Sequence, residues 1–278
     1  MILIKNSQTF NALIKEKKAK NLKIGFVPTM GALHAGHLSL IKSARQKCDI
    51  VVCSIFVNPT QFNVASDLTN YPRPIEKDIQ LLVHEGCDIL FHPEVDEIYG
   101  NGLVKDSSSD FGSFIHLLEG ASRPGHFDGV ITIVKKLFQL CEPKEVFFGQ
   151  KDYQQCLVVE TLIQRNFPNI VFNLCPILRE EDGLAMSSRN IRLSAEERKI
   201  SYKIYKELKN LKDNWQTQQW EIALKNAKHI LNEAPFKLEY LSVCNAKTFD
   251  SIDNFEENAI ALVAVQLGNT RLIDNILL

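Results

Sequence analysis

Residues 22–27 read Leu-Lys-Ile-Gly-Phe-Val, a short apolar segment rich in strand formers that Pro28 interrupts. Leu38, Leu40, Ile41 and Ala44 then recur at helical spacing and predict a helix over residues 36–47. Residues 50–57 form an unbroken apolar run of strand length, the pattern of a strand covered on both faces. The alternation continues. Ile79, Leu82 and Val83 predict a helix over 75–85, followed by a strand over 87–91. A polar, Gly- and Ser-containing stretch at 100–113 intervenes, and then come a helix over 130–140, a strand over 145–148 and a helix over 153–164. Strands alternating with helices imply right-handed βαβ units, so the fold class is α/β, with a Rossmann-like, doubly wound parallel sheet.

The pattern changes after about residue 178. Glu180-Glu-Asp-Gly183 is a charged turn, and Ser194-Ala-Glu-Glu197 has the form of a capping box that opens a helix. Amphipathic helices follow to about residue 232, with strand-like runs at 238–244 and 259–267. This predicts a Rossmann-like domain over 1–179 and a smaller C-terminal α+β domain, a lid, over 180–278. A chain of 278 residues is long enough for two such domains. Lys-rich stretches such as Lys15-Glu-Lys-Lys18 read as solvated helix faces.

Composition then narrows the function. With 32 Lys+Arg against 33 Asp+Glu, the net charge of −1 lacks the cationic excess of a nucleic-acid binder. Seven cysteines, Cys48, Cys53, Cys87, Cys141, Cys156, Cys175 and Cys244, include no CxxC pair and mostly sit in apolar runs, as buried thiols of a reducing compartment do. The first residues lack the layout of a secretory signal, and the apolar runs at 50–57 and 259–267 fall short of the ~20 residues a membrane helix needs. The expectation is a cytoplasmic protein with no membrane and no nucleic-acid partner.

The sharpest chemical feature is Pro28-Thr-Met-Gly31-Ala-Leu-His34-Ala-Gly36-His37, between the first predicted strand and helix. In a doubly wound sheet this is where helix N-termini offer N–H groups to anions. Two glycines let the backbone approach a ligand, and two imidazoles three residues apart could donate to phosphate oxygens and stabilise charge during transfer. A metal pair would need a third ligand at a usual spacing, which is absent. GxxxxGK[ST], GxGxxG and GxSxG are also absent, so no P-loop, dinucleotide fingerprint or nucleophile elbow explains the turn.

A second cluster, Phe147-Phe-Gly149-Gln-Lys151-Asp152-Tyr-Gln-Gln155, again marks a strand passing into a helix. Lys151 is a point charge for a phosphate; Asp152 is either a helix N-cap or a ribose acceptor. A third, Met186-Ser-Ser-Arg189-Asn190, joins two hydroxyls to a guanidinium, either as an ordinary surface loop or as a phosphate clamp. Asn58-Pro-Thr-Gln61-Phe62 follows the strand at 50–57; Gln61 and Gln155 read as neutral amides for a polar substrate or as turn and cap residues. Arg123-Pro-Gly-His126-Phe127-Asp128-Gly129 is either a lid or a scaffold loop.

Together with Tyr71-Pro-Arg73, these segments resemble, in order, the pantothenate synthetase (pantoate–β-alanine ligase) family of the HxGH nucleotidylyl-transferase superfamily. The resemblance implies ATP-dependent condensation of pantoate with β-alanine through pantoyl adenylate, with Mg²⁺ carried mostly on nucleotide phosphates and no metal ligands assigned in the protein. It also implies a homodimer, for which the strand at 50–57 is either an interface or a core element. Carried onto matching positions, Met30, Gly31, Ala32, Leu33, His34, Ala35, Gly36, His37, Gly149, Gln150, Lys151, Asp152, Leu178, Met186, Ser187, Ser188 and Arg189 would bind ATP. Leu178, read as the end of a strand, would touch adenine. His37 fills the catalytic acid position, with His34, Lys151 and Arg189 beside it, and Gln61 and Gln155 would hold pantoate, Gln61 also lying near β-alanine. Asp78 falls where a supporting carboxylate is expected. The rivals are a nucleotidyltransferase that keeps the nucleotide on its product, separated by whether AMP is released, and a catalytically dead nucleotide-binding protein.

Overall fold

The computed structural model describes all residues except 64, 101, 103–105, 108–110, 218, 253, 254 and 256, so the polar stretch predicted at 100–113 lies partly outside the described residues. Contacts divide the chain into two compact units, Met1–Gly149 with Gln154–Cys175, and Gln150–Tyr153 with Pro176–Leu278.

The first unit contains β1 (Ile2–Ile4), α1 (Ser7–Ala19), β2 (Ile24–Thr29), α2 (Ala35–Lys47), β3 (Ile50–Ile55), α3 (Ala65–Thr69), α4 (Ile75–His84), β4 (Ile89–Phe91) and α5 (Val95–Tyr99). It continues with α6 (Leu118–Ser122), α7 (His126–Cys141), β5 (Glu145–Gly149), α8 (Tyr153–Asn166) and β6 (Val171–Cys175). The six strands form one parallel sheet in the order β1-β4-β3-β2-β5-β6, the doubly wound arrangement expected. Successive residues of a strand face opposite sides, and both sides are covered. Phe26 of β2 meets Phe138 of α7 edge-on, at 6.4 Å between centroids, whereas its neighbour Val27 joins Leu40, Ile41 and Ala44 of α2 and Leu82 of α4. Fully burying side chains of this size stabilises by about 1.5–3 kcal/mol each.

Three of the described strands have no apolar run of their own in the sequence pattern, although a strand was expected to end at Leu178. β1 is three residues long, and β6 is a sheet edge on which Val171 and Leu174 stay exposed, so neither presents a closed apolar run. The third, β9 (Thr270–Leu277), carries Asp274 and Asn275 in its interior. β3 lies between β4 and β2 with its apolar residues buried, so residues 50–57 belong to the core of the sheet and not to a free edge. α7 begins four residues before the predicted start, after Gly125 in the left-handed region.

The second unit is α+β. After β6, α9 (Ala195–Ile200), α10 (Lys203–Asn214) and α11 (Trp220–Ile230) precede a three-stranded antiparallel sheet of β7 (Phe236–Asn245), β8 (Ala259–Leu267) and β9. Ser194 and Glu197 form the predicted capping box: the Ser194 hydroxyl accepts from Glu197 N–H, and the Glu197 carboxylate from Ser194 N–H. Leu208, Leu211 and Trp215 of the helical layer pack with Val263, Val265 and Leu267 of β8 in one buried cluster. All seven cysteines are free and buried.

Candidate active site

In the first unit, β2 and β5 are neighbours, and the direction of strand order reverses between them. Ligands of doubly wound sheets bind at such a reversal, beyond the carboxyl ends of the strands. β2 runs into the 28–37 turn and β5 into Gly149. Two of the expected nucleotide segments therefore leave adjacent strands.

The 28–37 turn is held from below by Asp78, on α4. One carboxylate oxygen accepts from Ala32 N–H and the other from Leu33 N–H, both at 2.8 Å. Gly31 and Ala32 both have positive φ, +81° and +51°. At Gly31 a Cβ would lie 2.9 Å from Ile55 Cγ2, so glycine is required there by both conformation and space. Ala32 pays about 1–2 kcal/mol for its left-handed backbone, which the charge-assisted bonds to Asp78 offset. Burial raises the Asp78 carboxyl above the ordinary carboxylate range, and the Leu33 and Ala32 N–H groups oppose that rise. Both of its oxygens are engaged with the main chain. Asp78 supports the turn itself.

The two histidines close the turn into α2. His34 is the N-cap, and its Nδ1 accepts from Gly36 N–H at 3.1 Å; His37 Nδ1 accepts from His34 N–H at 3.4 Å. This is a capping box built from imidazoles. Each Nδ1 acts as an acceptor, which assigns the neutral tautomer with hydrogen on Nε2. The rings lie side by side at the helix start, their centroids 4.1 Å apart and their planes tilted by 42°. Ala35 and Gly36 start the helix between them.

Gln61 lies in the Pro59–Gln61 turn after β3 and is brought to the first cluster: its Nε2 is 2.8 Å from Met30 Sδ. Asn58 Nδ2 donates to Gln61 Oε1 and to Gly129 O, and His126 Nδ1 donates to Gln61 O at 2.8 Å. Arg123 reaches the same carbonyl at 3.3 Å. A Cβ on Gly129 would sit 2.5 Å from Thr60 O, so only glycine lets α7 close on this turn. The 123–129 segment is thus a scaffold around Gln61. On α8, the buried glutamine is Gln154, whose amide donates to Phe114 O and Leu117 O and accepts from Glu119 N–H. Gln155 is half-buried beside it. The sequence reading assigned nothing to Gln154 or Asn58, whose main-chain acceptors Phe114 O, Leu117 O and Gly129 O lie far along the chain.

The second unit holds the remaining predicted residues. Gln150–Asp152 is a single 3₁₀ turn, and Lys151 Nζ lies 3.4 Å from Asp152 Oδ2. Asp152 ends this turn ahead of α8. Leu178 is not the end of a sheet strand, because β6 stops at Cys175. It stands on one arm of a hairpin: Met186 N–H donates to Leu178 O, Arg179 bridges Ala185, and Glu180 N–H donates to Leu184 O, with the charged turn at the tip. Past the hairpin, Arg189 N–H donates to Ser187 Oγ at 3.2 Å. Ser188 and Arg189 are half-buried. Arg179, by contrast, is fully committed to structure: it pairs with Asp274 at 2.7 and 3.0 Å and lies 3.8 Å over the Tyr205 ring.

Among the described residues, no group of three or more His, Cys, Asp or Glu side chains is assembled as a metal site, and no helix is long and apolar enough to cross a membrane.

Comparison with known proteins gives one answer. The family model described as pantoate-beta-alanine ligase matches residues 2–277. A pantothenate synthetase of Cytophaga hutchinsonii is 44% identical, the alignment covering 100% of this chain and 99% of the relative. One from Thermotoga petrophila is 41% identical over 100% of both. Among solved structures, the pantothenate synthetase of Thermus thermophilus superposes with a TM-score of 0.92, at 38% identity and 99% coverage of each chain. The pantoate-beta-alanine ligase of Francisella tularensis, solved in complex with beta-gamma ATP and beta-alanine, gives 0.83, at 38% identity over 100% of this chain and 97% of that one. With its doubly wound sheet, its paired histidines at the cap of α2 and these full-length matches, the chain belongs to the pantoate–β-alanine ligase family.

Proposed function

We propose that the chain condenses pantoate with β-alanine in two steps driven by ATP. The pantoate carboxylate attacks the α-phosphate, a P–O bond to the β-phosphate breaks, and pyrophosphate leaves. The β-alanine amine then attacks the acyl carbon of pantoyl adenylate, the C–O bond to AMP breaks, and the amine proton passes to solvent. The observation that carries this reading is the imidazole capping box, which presents two Nε2–H donors at one helix start. Such donors stabilise negative charge as it develops on phosphate oxygens.

His37 and His34 act on the phosphates, while Lys151 and Arg189 supply fixed positive charge. The remaining ATP contacts are the main chain of 30–37, Gly149–Asp152, and Leu178 with Met186–Ser188. Gln61 and Gln155 orient pantoate, so that the carboxylate meets phosphorus as a near-unimolecular reaction. The C-terminal unit serves as the lid that keeps water from the mixed anhydride. Both oxygens of Asp78 accept main-chain N–H groups. Mg²⁺ would be held through the nucleotide phosphates, where it would neutralise the pyrophosphate leaving group. The protein works in the cytoplasm as a homodimer.

The test is release of AMP and pyrophosphate from ATP and Mg²⁺, with pantoate and β-alanine supplied separately and together. AMP and pantothenate are expected only with both substrates. A nucleotidylated product without free AMP would instead indicate a nucleotidyltransferase.

A further inference from the structure

β9 carries an unusual pair in its interior. Asp274 and Asn275 are 4% and 1% exposed, in the interior of β9. Every polar atom of the Asn275 amide is used. Its Nδ2 donates to Gln150 O at 2.9 Å and Lys151 O at 3.0 Å, and its Oδ1 accepts from Gln150 Nε2 at 3.1 Å. These partners lie 124 and 125 residues earlier in sequence. The amide is itself fixed, because Asn275 N–H donates to Asp274 Oδ1 and Asp274 is clamped by the two guanidinium nitrogens of Arg179. The same guanidinium donates to Gly183 O, at the tip of the hairpin that leads into Met186–Arg189.

We infer that Asn275 is a positioning residue for Lys151, and that the Asp274–Asn275 pair sets the 150–152 turn and the 178–186 hairpin in one frame. This rests on the reading of Lys151 as the nucleotide's lysine. A buried amide used only for stability would need partners, but any partners would do. Here both donors go to consecutive carbonyls of the turn that carries the cation, so a shift of the amide moves the Lys151 backbone. Misplacing a binding group by about 1 Å can cost on the order of 100-fold in rate.

The experiment compares Asn275→Ala, Asn275→Asp, Lys151→Ala and the Lys151→Ala/Asn275→Ala double variant in the full chain. The readouts are kcat and KM for each of ATP, pantoate and β-alanine, with far-UV circular dichroism and melting. Asn275→Ala is expected to lower kcat/KM for ATP about 10- to 100-fold while KM for pantoate and β-alanine moves less than about twofold. Asn275→Asp, equal in size but facing two carbonyl oxygens with an acceptor, is expected to be worse than alanine. The double variant is expected to lose no more than Lys151→Ala alone, since Asn275 acts through that residue. Equal rises in KM across the three substrates, multiplicative losses in the double variant, or unchanged ATP kinetics in folded Asn275→Ala would each overturn the proposal. If neither Asn275 variant folds, Asn275→Ser, which keeps one donor, is read in the same way. Lys151→Ala separates the two readings. If it leaves ATP kinetics intact, the assignment of Lys151 falls; if it is damaged and Asn275→Ala is not, only the role of Asn275 falls.

Discussion

The chain passes from a parallel strand into a helix at two adjacent sheet positions, and the two turns are held in different ways. After β2, the 28–37 turn is secured within its own unit. The histidines cap α2 through bonds to residues two and three positions away, and Asp78 reaches up from α4. After β5, the 150–152 turn is tied to a distant part of the chain. Its carbonyls are gathered by Asn275, near the end of the chain. The first turn is thus held by bonds spanning 2 to 46 residues, the second by bonds spanning 124 and 125.

The strongest way to break this comparison is at the locally built turn. His37→Ala removes the proposed phosphate donor together with the acceptor for His34 N–H, and kcat is expected to fall about 100- to 1,000-fold, the cost of one donor to a developing oxyanion. Single-turnover formation of pyrophosphate would check it. A small effect would move the chemistry away from the imidazole pair.

Next in size is Asp78→Ala, which leaves two buried N–H groups unpaired at about 1–3 kcal/mol each. A fall in melting temperature with a rise in KM for ATP is expected. Asp78→Asn keeps one acceptor and turns an NH₂ towards the other donor, so it recovers only part of the loss. If both variants bind ATP normally, Asp78 is not what shapes the turn.

Gly129→Ala tests the third turn. Its Cβ would collide with Thr60 O, and overpacking of this kind costs about 1–3 kcal/mol. KM for pantoate is expected to rise more than KM for ATP, because Gln61 is what moves. Equal shifts in both would argue against Gln61 as a pantoate residue.

The smallest effect belongs to the hairpin tip in the second unit. Arg198 holds the Asp182 carboxyl below the usual carboxylate range. A depressed folded-state pKa contributes stability that is present above the unfolded value near 3.9 and is lost as pH falls through the folded value. Because the pair is partly exposed, it is worth under about 1 kcal/mol. Asp182→Asn should flatten the acid side of the stability curve slightly and leave activity at neutral pH unchanged; a marked loss of activity would show that the hairpin tip does more.

Much of this was legible in the pattern. Apolar runs and helical spacing located β2, β3, β4 and β5 and the longer helices α2, α4 and α7, because those strands are covered on both faces. The strand-to-helix junction at His34 and His37 was legible too, although not that the two imidazoles would cap α2. β6 was not, because an edge strand with one wet face has no continuous apolar run. Leu178 was misplaced for the same reason: a strand was expected to reach it, and a hairpin arm does instead. β9 escaped because Asp274 and Asn275 break its alternation, and no rule of periodicity foresees that an aspartate will be buried against Arg179.

What the sequence determined by itself was the alternation of the central strands and longer helices and the residue types gathered at their junctions, since propensity, spacing and caps act over a few positions. What tertiary structure alone decided was the role of the buried polar residues. Asp78, Gln154, Asn58 and Asn275 each satisfy main-chain groups roughly 35 to 125 residues away. A buried amide or carboxylate is stable only where folding brings those groups within hydrogen-bond distance, and that distance is a property of the packed chain.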